Sequence, residues 1–245
     1  MARIVCIANQ KGGVGKTTTA INLAAGLAKG GHRTLLVDLD PQCNATSGLG
    51  NRPAERHPLL NEGLLVHSFC ETDVPGLKLV PGSRSFQDTE SLANGFASTR
   101  MREHLDSLAG DFEFVLIDCP PSLGHLTRTA LSASTEVLMP IQCEYFAMEG
   151  LTQMIEVIRG VMRREGSRLQ FGGILLTMYD YSLELTEEVD AEVRDFFGEI
   201  VFETVIPRDV SVSEAPSFGR SVLDHAPRSR GARAYTELCM EVMDR

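Results

Sequence analysis

The chain has 245 residues and a formal net charge of −10 at pH 7; 43% of its residues are hydrophobic, 6% are aromatic, and Trp is absent. This length and composition predict a single domain over residues 1–245 with a largely aliphatic core. No apolar run approaches the roughly 18 residues that a membrane-spanning helix needs. The N-terminal residues enter a predicted strand directly, so we expect neither a membrane partner nor a signal peptide.

The cysteine and histidine patterns give little support for a metal or iron–sulfur centre. The six cysteines have no C-x-x-C spacing, and the six histidines form no H-E-x-x-H motif. Isolated cysteines in apolar segments are typical of a reducing compartment, where cysteine packs as a small hydrophobic residue. We therefore expect a cytoplasmic protein.

Strand-like and helical patterns alternate along the chain. Strands are predicted near residues 3–8, 34–38, 78–81, 113–118, 136–141, 171–177 and 201–205, and helices near 16–30, 87–109, 122–133, 147–165, 185–197 and 230–244. Residues 42–62 are predicted to form a loop and switch region. The alternation predicts an α/β fold with a mostly parallel, twisted sheet and helices on both faces.

The first predicted strand leads into a glycine-rich turn with the sequence KGGVGKTT at residues 11–18. A strand, this turn and a helix in succession are the context of a phosphate-binding loop, which predicts a P-loop NTPase. Glycine lets backbone N–H groups approach an anion, and the helix N-terminus adds unpaired donors. We expect Lys16 to neutralise the β- and γ-phosphates and the Thr17 hydroxyl to bind Mg²⁺. The predicted nucleotide-binding residues of the loop are Lys11, Gly12, Gly13, Val14, Gly15, Lys16, Thr17 and Thr18.

A second lysine, Lys11, opens the same loop. Lys16 is expected to point into its own phosphate pocket, whereas Lys11 lies at the outer lip, where its own γ-phosphate is awkward to reach. A twofold-related copy of the chain would offer Lys11 a phosphate from the other side, because an isologous dimer places equivalent loops against each other.

Carboxylates follow two further strands. Asp38 and Asp40 are two residues apart and face the same side of an extended chain, so both are candidates to approach a metal or an attacking water. Asp118 ends an apolar strand in a Walker B pattern and is predicted to hold Mg²⁺ through water. We predict a metal site formed by Thr17, Asp40 and Asp118.

The loop KGGVGKTT resembles the deviant Walker A loop of the ParA/MinD family of partitioning and positioning ATPases. The segments LLVDLDPQ (35–42), FVLIDCPP (114–121), IQCEYFAMEGL (141–151) and VIPRDVSVSEAPS (205–217) resemble further motifs of the family in the same order. The resemblance extends from about residue 3 to about residue 240 and is weakest between about 51 and 105.

This resemblance implies slow hydrolysis of Mg²⁺-bound ATP to ADP and phosphate, with Lys11, Lys16 and Asp40 as the catalytic residues. In the family, the first lysine reaches the nucleotide of the facing subunit, so the ATP-bound form is a homodimer. The resemblance also implies that this dimer binds nonspecific double-stranded DNA and that a ParB-like partner stimulates hydrolysis. A nucleoid-associated ATPase for chromosome or plasmid partitioning is the function that follows.

By the same resemblance, Pro207 and Asp209 lie near the adenine base. Relatives usually carry asparagine where Asp209 stands, and an ionised aspartate accepts hydrogen bonds but cannot donate them.

Three arginines, Arg220, Arg228 and Arg230, match basic positions in the C-terminal segment of the family and are the predicted DNA contacts. The alternative is that they are solvated or cap the last helix. Basic residues that relatives often carry are absent at Ser211 and in the segment 180–184, so other arginines are also candidates for binding DNA: Arg163, Arg164 and Arg168.

The negative charge is concentrated in one segment. Residues 180–203 contain nine acids and one base, giving −8, whereas residues 208–233 contain five arginines and three acids, giving +2. A locally basic face can bind a phosphate backbone although the whole molecule is acidic.

Three other functions remain open from the sequence. An orphan relative would position a protein cargo by the same cycle. A MinD-like regulator of division would need a basic amphipathic C-terminal helix, but the last helix carries Glu237, Glu241 and Asp244. An iron–sulfur carrier or reductase component with the same loop would need paired cluster cysteines.

Overall fold

The computed structural model describes residues 2–58, 69–85, 96–108, 110–144 and 147–245. Within these ranges seven strands form one central sheet: β1 (Arg3–Ile7), β2 (Thr34–Asp38), β3 (Cys70–Glu71), β4 (Leu77–Val80), β5 (Phe114–Asp118), β6 (Glu136–Gln142) and β7 (Gln170–Thr177). Their order across the sheet is 3-4-2-5-1-6-7. Strand β3 pairs antiparallel with β4, and the other pairs are parallel.

Nine helices accompany these strands within the described ranges. They are α1 (Lys16–Lys29), α2 (Asn44–Gly48), α3 (Phe96–Ser107), α4 (His125–Ala133), α5 (Ala147–Met162), α6 (Glu184–Phe197), α7 (Val210–Glu214), α8 (Val222–His225) and α9 (Arg230–Asp244). In residues 2–58 and 110–144 the strands are continuous apolar runs that alternate with helical segments. This pattern is typical of a parallel sheet whose two faces are both covered by helices.

Two hydrophobic cores lie on opposite faces of the sheet. Along β1 the side chains alternate, so that Ile4 and Cys6 pack into one core and Val5 and Ile7 into the other. The first core is shared with α3, α4 and α5, and the second with α1 and α9. The predicted α/β class, with helices on both faces of a mostly parallel sheet, is therefore confirmed.

The register of the sheet brings three strand ends together. Ile7 at the end of β1 pairs with Asp118 on β5, and Asp38 on β2 pairs with Asp118 from the other side. The turn before α1 leaves β1 at this same edge. In open parallel sheets this carboxyl edge is where ligands bind, since the loops that follow neighbouring strands converge there.

The predicted strand at 201–205 was wrong. Val201 forms an isolated bridge to Ile174, the chain departs from β7 at residues 203–205, and it returns at Ile206, whose amide donates to the carbonyl of Leu176. The physical reason is a competing acceptor: the amides of Glu203 and Thr204 donate to the Glu241 carboxylate of α9, at 2.8 and 2.9 Å, instead of extending the ladder.

Other boundaries differ less. The predicted helix at 87–109 is described from residue 96, and residues 87–95 lie outside the described residues, as do residues 59–62 of the predicted loop region. Within that loop region the structure contains the short helix α2, which the sequence did not predict because its five residues, NATSG, carry no apolar periodicity.

Candidate nucleotide-binding site

The turn between β1 and α1 has the backbone geometry of an anion site. Gly13 and Gly15 have φ values of 77° and 85°, a left-handed conformation that glycine adopts without the steric cost of a Cβ. Gly15 occupies the N-cap of α1, and no side chain caps its first turn. The N–H groups of this turn therefore keep their capacity to bind a phosphate.

Lys16 points inward. Its side chain is 6% exposed, and Nζ donates a hydrogen bond of 2.8 Å to the carbonyl oxygen of Lys11. Burial lowers the pKa of Lys16, and the negative charges of Asp118 and Asp40 oppose that shift. An ammonium in this position, at the base of an amide-lined turn, is placed to neutralise a bound phosphate.

Asp118 supplies an uncompensated buried carboxylate. It is fully buried, and neither of its oxygens accepts a hydrogen bond of good geometry from the residues that the structure describes. Burial raises its pKa well above the usual range, the negative charge of Asp38 adds to this, and Thr17 and Lys16 oppose it. Such a group fits a divalent cation, because a hard cation prefers carboxylate and hydroxyl oxygens and would neutralise the charge.

Asp40 and Asp38, which the sequence treats alike, have different surroundings. Asp40 is 5% exposed, and its charge acts on both Lys16 and Asp118, so it belongs to the phosphate site. Asp38 instead accepts hydrogen bonds from the amide and the hydroxyl of Thr46, at 2.8 and 2.6 Å, and from the amide of Asp40, at 3.2 Å. Burial raises its pKa to about 6. These contacts tie α2 to the end of β2, and Asp38 is the anchor of this segment rather than a free ligand.

Two supporting residues, Asn9 and Thr177, were not predicted from the sequence. Asn9 accepts from the amide of Lys11 at 3.0 Å and donates to the carbonyl of Pro140 at 2.8 Å. The Thr177 hydroxyl lies 3.0 Å from the carbonyl oxygen of Val14 and 2.9 Å from that of Ile141. Both residues fix the loop to neighbouring strands. The available signal was a polar side chain at the end of a buried strand, as for Thr177, or two residues beyond it, as for Asn9.

Lys11 occupies the outer lip of the loop, as predicted. Its backbone is held by Asn9 and by Lys16, while its side chain is 38% exposed and forms an ion pair of 2.9 Å with Glu144. The two lysines of the loop therefore point in different directions, one into the turn and one away from it.

Pro207 and Asp209 lie close to the same edge of the sheet. Pro207 pairs with Tyr179, two residues beyond β7. Asp209 is the N-cap of α7: its carboxylate accepts from the amide of Ser211 at 2.9 Å and from that of Gly231 in α9 at 2.8 Å. The hydrogen bonds from Gly231 and Ser211 help to hold the Asp209 pKa below its usual value, against the effect of burial. Both of its oxygens are thus engaged in joining α7 to α9, and its predicted contact with adenine stays a prediction.

The three predicted DNA contacts are exposed. Arg220 precedes α8, Arg228 lies between α8 and α9, and Arg230 is the first residue of α9. The Arg230 guanidinium donates to the carbonyl of Arg208, and the amide of Arg208 donates to the carbonyl of Tyr179. Because Tyr179 follows the carboxyl end of β7, Arg230 lies at the same edge of the sheet as the phosphate loop.

Among the residues that the structure describes, no helix has the length and apolar character to cross a bilayer.

Comparison with known proteins identifies the family. A family model described as an AAA domain, AAA_31, matches residues 2–171. The chain is 50% identical to the chromosome-partitioning ATPase Soj of Thermus thermophilus, covering 99% of this chain and 96% of the relative. It is 45% identical to the chromosome partitioning protein ParA of Caulobacter vibrioides, covering 99% and 94%.

Solved structures agree on the fold. Cobyrinic acid a,c-diamide synthase from Mycobacterium smegmatis, with bound ADP and magnesium, superimposes with a TM-score of 0.84 at 35% identity, covering 98% of this chain and 93% of that one. The septum site-determining protein MinD of Pyrococcus horikoshii, complexed with Mg-ADP, gives 0.81 at 26% identity, covering 99% and 96%. With a phosphate loop, a buried Walker B carboxylate and relatives matched over nearly their full length, the chain belongs to the ParA/Soj family of P-loop partition ATPases.

Proposed function

We propose that this protein is a Mg²⁺- and ATP-dependent dimerising switch that binds DNA without sequence preference in its ATP state and partitions chromosomes or plasmids. The observation that carries the proposal is that two lysines of one loop differ in burial and in partner. Lys16 is buried against the loop carbonyl of Lys11 and serves the phosphates bound by its own subunit. Lys11 is half-exposed and pairs with Glu144 outside the turn, where a second subunit can offer it a charge.

Within one subunit, the described residues account for nucleotide binding. The amides of the glycine-rich turn and Lys16 would bind the phosphates, and the Thr17 hydroxyl and Asp118 would hold Mg²⁺. Bound Mg²⁺ supplies charge neutralisation on the phosphate oxygens. Asp40 orients the attacking water, as its position beside Lys16 and Asp118 allows. The solved relatives crystallised with ADP or an ATP analogue and magnesium support this assignment.

Hydrolysis requires two subunits in this proposal. Phosphoryl transfer depends on positioning and charge neutralisation. Lys11 of the partner adds a positive charge beside the γ-phosphate when the dimer closes, in the manner of an arginine finger. A lone subunit lacks that charge and is therefore slow, and a ParB-like activator that favours the closed geometry stimulates hydrolysis and resets the switch.

The first experiment tests the role of Lys11. Lys11→Ala should abolish dimerisation with ATP and Mg²⁺, measured by analytical ultracentrifugation, while the affinity of the monomer for ATP changes by less than about twofold, because the Lys11 side chain does not face its own phosphates. Lys16→Ala is the matched control in the same loop and should lose ATP affinity itself. A Lys11→Ala protein that dimerises normally with ATP contradicts the proposed exchange of lysines.

The second experiment tests the DNA switch. Binding of the wild-type protein to a double-stranded fragment of arbitrary sequence should be strong with ATP and weak with ADP or without nucleotide. It should also fall steeply as salt rises, as for any phosphate-dominated interface. Equal binding in all three nucleotide states rules out the switch and favours a relative that positions a protein cargo.

A further inference from the structure

We propose that Glu144 is a positioning residue that holds Lys11 within its own subunit and so sets the concentration at which ATP drives dimerisation. This inference rests on the proposed dimer, in which Lys11 must reach the nucleotide of the partner. Lys11 Nζ and Glu144 Oε2 lie 2.9 Å apart, and the two side chains are 38% and 48% exposed.

The surroundings of the pair leave the side chain of Lys11 as the part that moves. Its amide donates to Asn9 and its carbonyl accepts from Lys16 Nζ. Asn9 is in turn fixed to Pro140 on β6, and the amide of Glu144 donates to the carbonyl of Gln142 at the end of β6, at 2.8 Å. Both backbones are therefore anchored to β6, so Lys11 can exchange anions by rotating its side chain.

The exchange has a definite direction. One ammonium cannot keep its ion pair with a carboxylate of its own chain and also lie against a phosphate of the facing chain. The terminal phosphate of ATP carries more charge than one carboxylate and outcompetes it, whereas ADP lacks that phosphate and leaves Lys11 with Glu144. The ion pair thus opposes closure in every state, and only a triphosphate in the partner attracts Lys11 strongly enough to break it.

The expected size follows from the exposure of the pair. An ion pair this exposed shifts an equilibrium by about 1.5- to 5-fold. Two such pairs must break in a twofold-symmetric dimer, so removing both should tighten dimerisation by about 2- to 25-fold.

The test is the dimer dissociation constant of Glu144→Gln in saturating ATP and Mg²⁺, measured by analytical ultracentrifugation with a variant that hydrolyses slowly, such as Asp40→Ala, as the common background. We expect Glu144→Gln to dimerise about 2- to 25-fold more tightly, with the ATP affinity of the monomer unchanged. Asp106→Asn is the matched control, since Asp106 is 47% exposed and also forms an ion pair, with Arg168, near the start of β7 at the opposite edge of the sheet. It shows how much of any gain arises merely from removing one negative charge from an acidic protein.

A second variant separates position from charge. Glu144→Asp keeps the carboxylate but has a shorter side chain, so its ion pair with Lys11 is weakened. It should therefore also dimerise more tightly than the Asp40→Ala background, whereas an effect of charge alone predicts no change. Thermal unfolding of each variant verifies that the fold is retained.

The outcomes distinguish this inference from the proposed function. If the wild-type protein does not dimerise with ATP, the proposed function fails. If the wild type and the Asp40→Ala background both dimerise and Glu144→Gln is no tighter than Asp106→Asn, or is weaker, then Glu144 does not restrain Lys11 and the inference is overturned while the switch stands.

Discussion

At the scale of single residues, Asp118 shows how the end of β5 prepares a cation site. Strand β5 is buried along its whole length and lies between β1 and β2, so its terminal carboxylate is surrounded by protein. The neighbouring acids Asp38 and Asp40 add to the cost of its charge. A buried carboxylate of this kind is tolerated when a bound cation compensates its charge. Because the charge is costly without the cation, cation binding relieves that cost and is favoured by it.

Asp118→Asn should therefore stabilise the protein when nucleotide and Mg²⁺ are absent. The raised pKa means that the folded state binds more protons than the unfolded state, so the wild type loses stability as pH rises from the unfolded pKa of aspartate, near 4, through the folded one. At pH 8 we expect the free energy of unfolding of the variant to exceed that of the wild type by about 1–3 kcal/mol, because the substitution removes a buried charge that accepts no hydrogen bond of good geometry from the described residues. The difference should shrink as the pH is lowered toward 4. Urea unfolding with EDTA at several pH values measures this.

The same substitution should have the opposite effect on Mg²⁺. The variant should require at least about tenfold more Mg²⁺ to bind nucleotide, if Asp118 holds the cation through an ordered water. A titration with a fluorescent ATP analogue gives this value, and an unchanged Mg²⁺ requirement excludes Asp118 from the metal site.

His57 predicts a separate loss of stability in acid. It is fully buried, its Nε2 lies 3.0 Å from the carbonyl oxygen of Asp38, and burial lowers its pKa to about 4. The unfolded state binds the proton first, so the contribution of His57 is lost as pH falls from about 6.5 to about 4. Between pH 7 and pH 5 this amounts to about 2 kcal/mol. The free energy of unfolding of His57→Gln, measured by chemical unfolding at both pH values, should fall by about 2 kcal/mol less than that of the wild type between pH 7 and pH 5. If the two proteins lose the same stability over this range, His57 is not the group responsible.

At the scale of elements, the packing of α1 on α9 fixes the helix that begins the phosphate loop. A Cβ on Gly26 of α1 would lie 2.3 Å from Sγ of Cys239 on α9, so the two helices approach as closely as glycine permits. The Thr19 and Tyr235 hydroxyls also lie 3.3 Å apart across this interface. The last helix of the chain thus supports the first, although more than 200 residues separate their contacts.

Gly26→Ala should destabilise the protein by about 1–3 kcal/mol, because the added methyl overpacks a closed contact. Cys239→Ala removes the atom that it would strike. Thermal or urea unfolding of both single variants and the double variant therefore forms a cycle. We expect the double variant to be more stable than the sum of the single effects predicts, with a coupling of about 0.5–3 kcal/mol between the contacting sites. Simple additivity would show that the helices separate freely.

The elements also show which parts of the site the sequence can predict. The residues of the turn at 11–18 and the strand-end acids were predictable because strand, turn and helix adjoin in the chain. Glu144 and Thr177 lie 133 and 163 residues from their partners in the loop, and such contacts follow from strand order, which the pattern does not specify. The false strand at 201–205 failed for the same reason, since the competing acceptor, Glu241, is remote in sequence.

At the scale of the whole molecule, charge is distributed unevenly over the surface. Helix α6 exposes a row of acids: Glu184, Glu187, Glu188, Glu192 and Asp195. Arg230 lies instead with the phosphate loop at the carboxyl edge of the sheet, through its link to Arg208 and Tyr179. A polyanion is therefore repelled from one face and attracted to another, although the total charge is negative.

This placement makes a specific prediction for DNA binding. In the proposed ATP-bound dimer, Arg230 of each subunit lies on the edge that carries the nucleotide, so Arg230→Ala would remove two phosphate contacts per dimer. The slope of log K against log salt concentration should become shallower by about 2, uniformly over DNA sequences, and Arg220→Ala should behave in the same way.

Arg164→Ala serves as the control. Arg164 lies in the turn between α5 and β7, at the amino edge of the sheet, and it is also exposed. We expect its salt slope to match the wild type within error, measured by fluorescence anisotropy with ATP between 50 and 200 mM salt. If Arg164→Ala instead flattens the slope and Arg230→Ala does not, the DNA path runs along the amino edge. Nucleotide-driven dimerisation would then have to control DNA binding from the far side of the sheet.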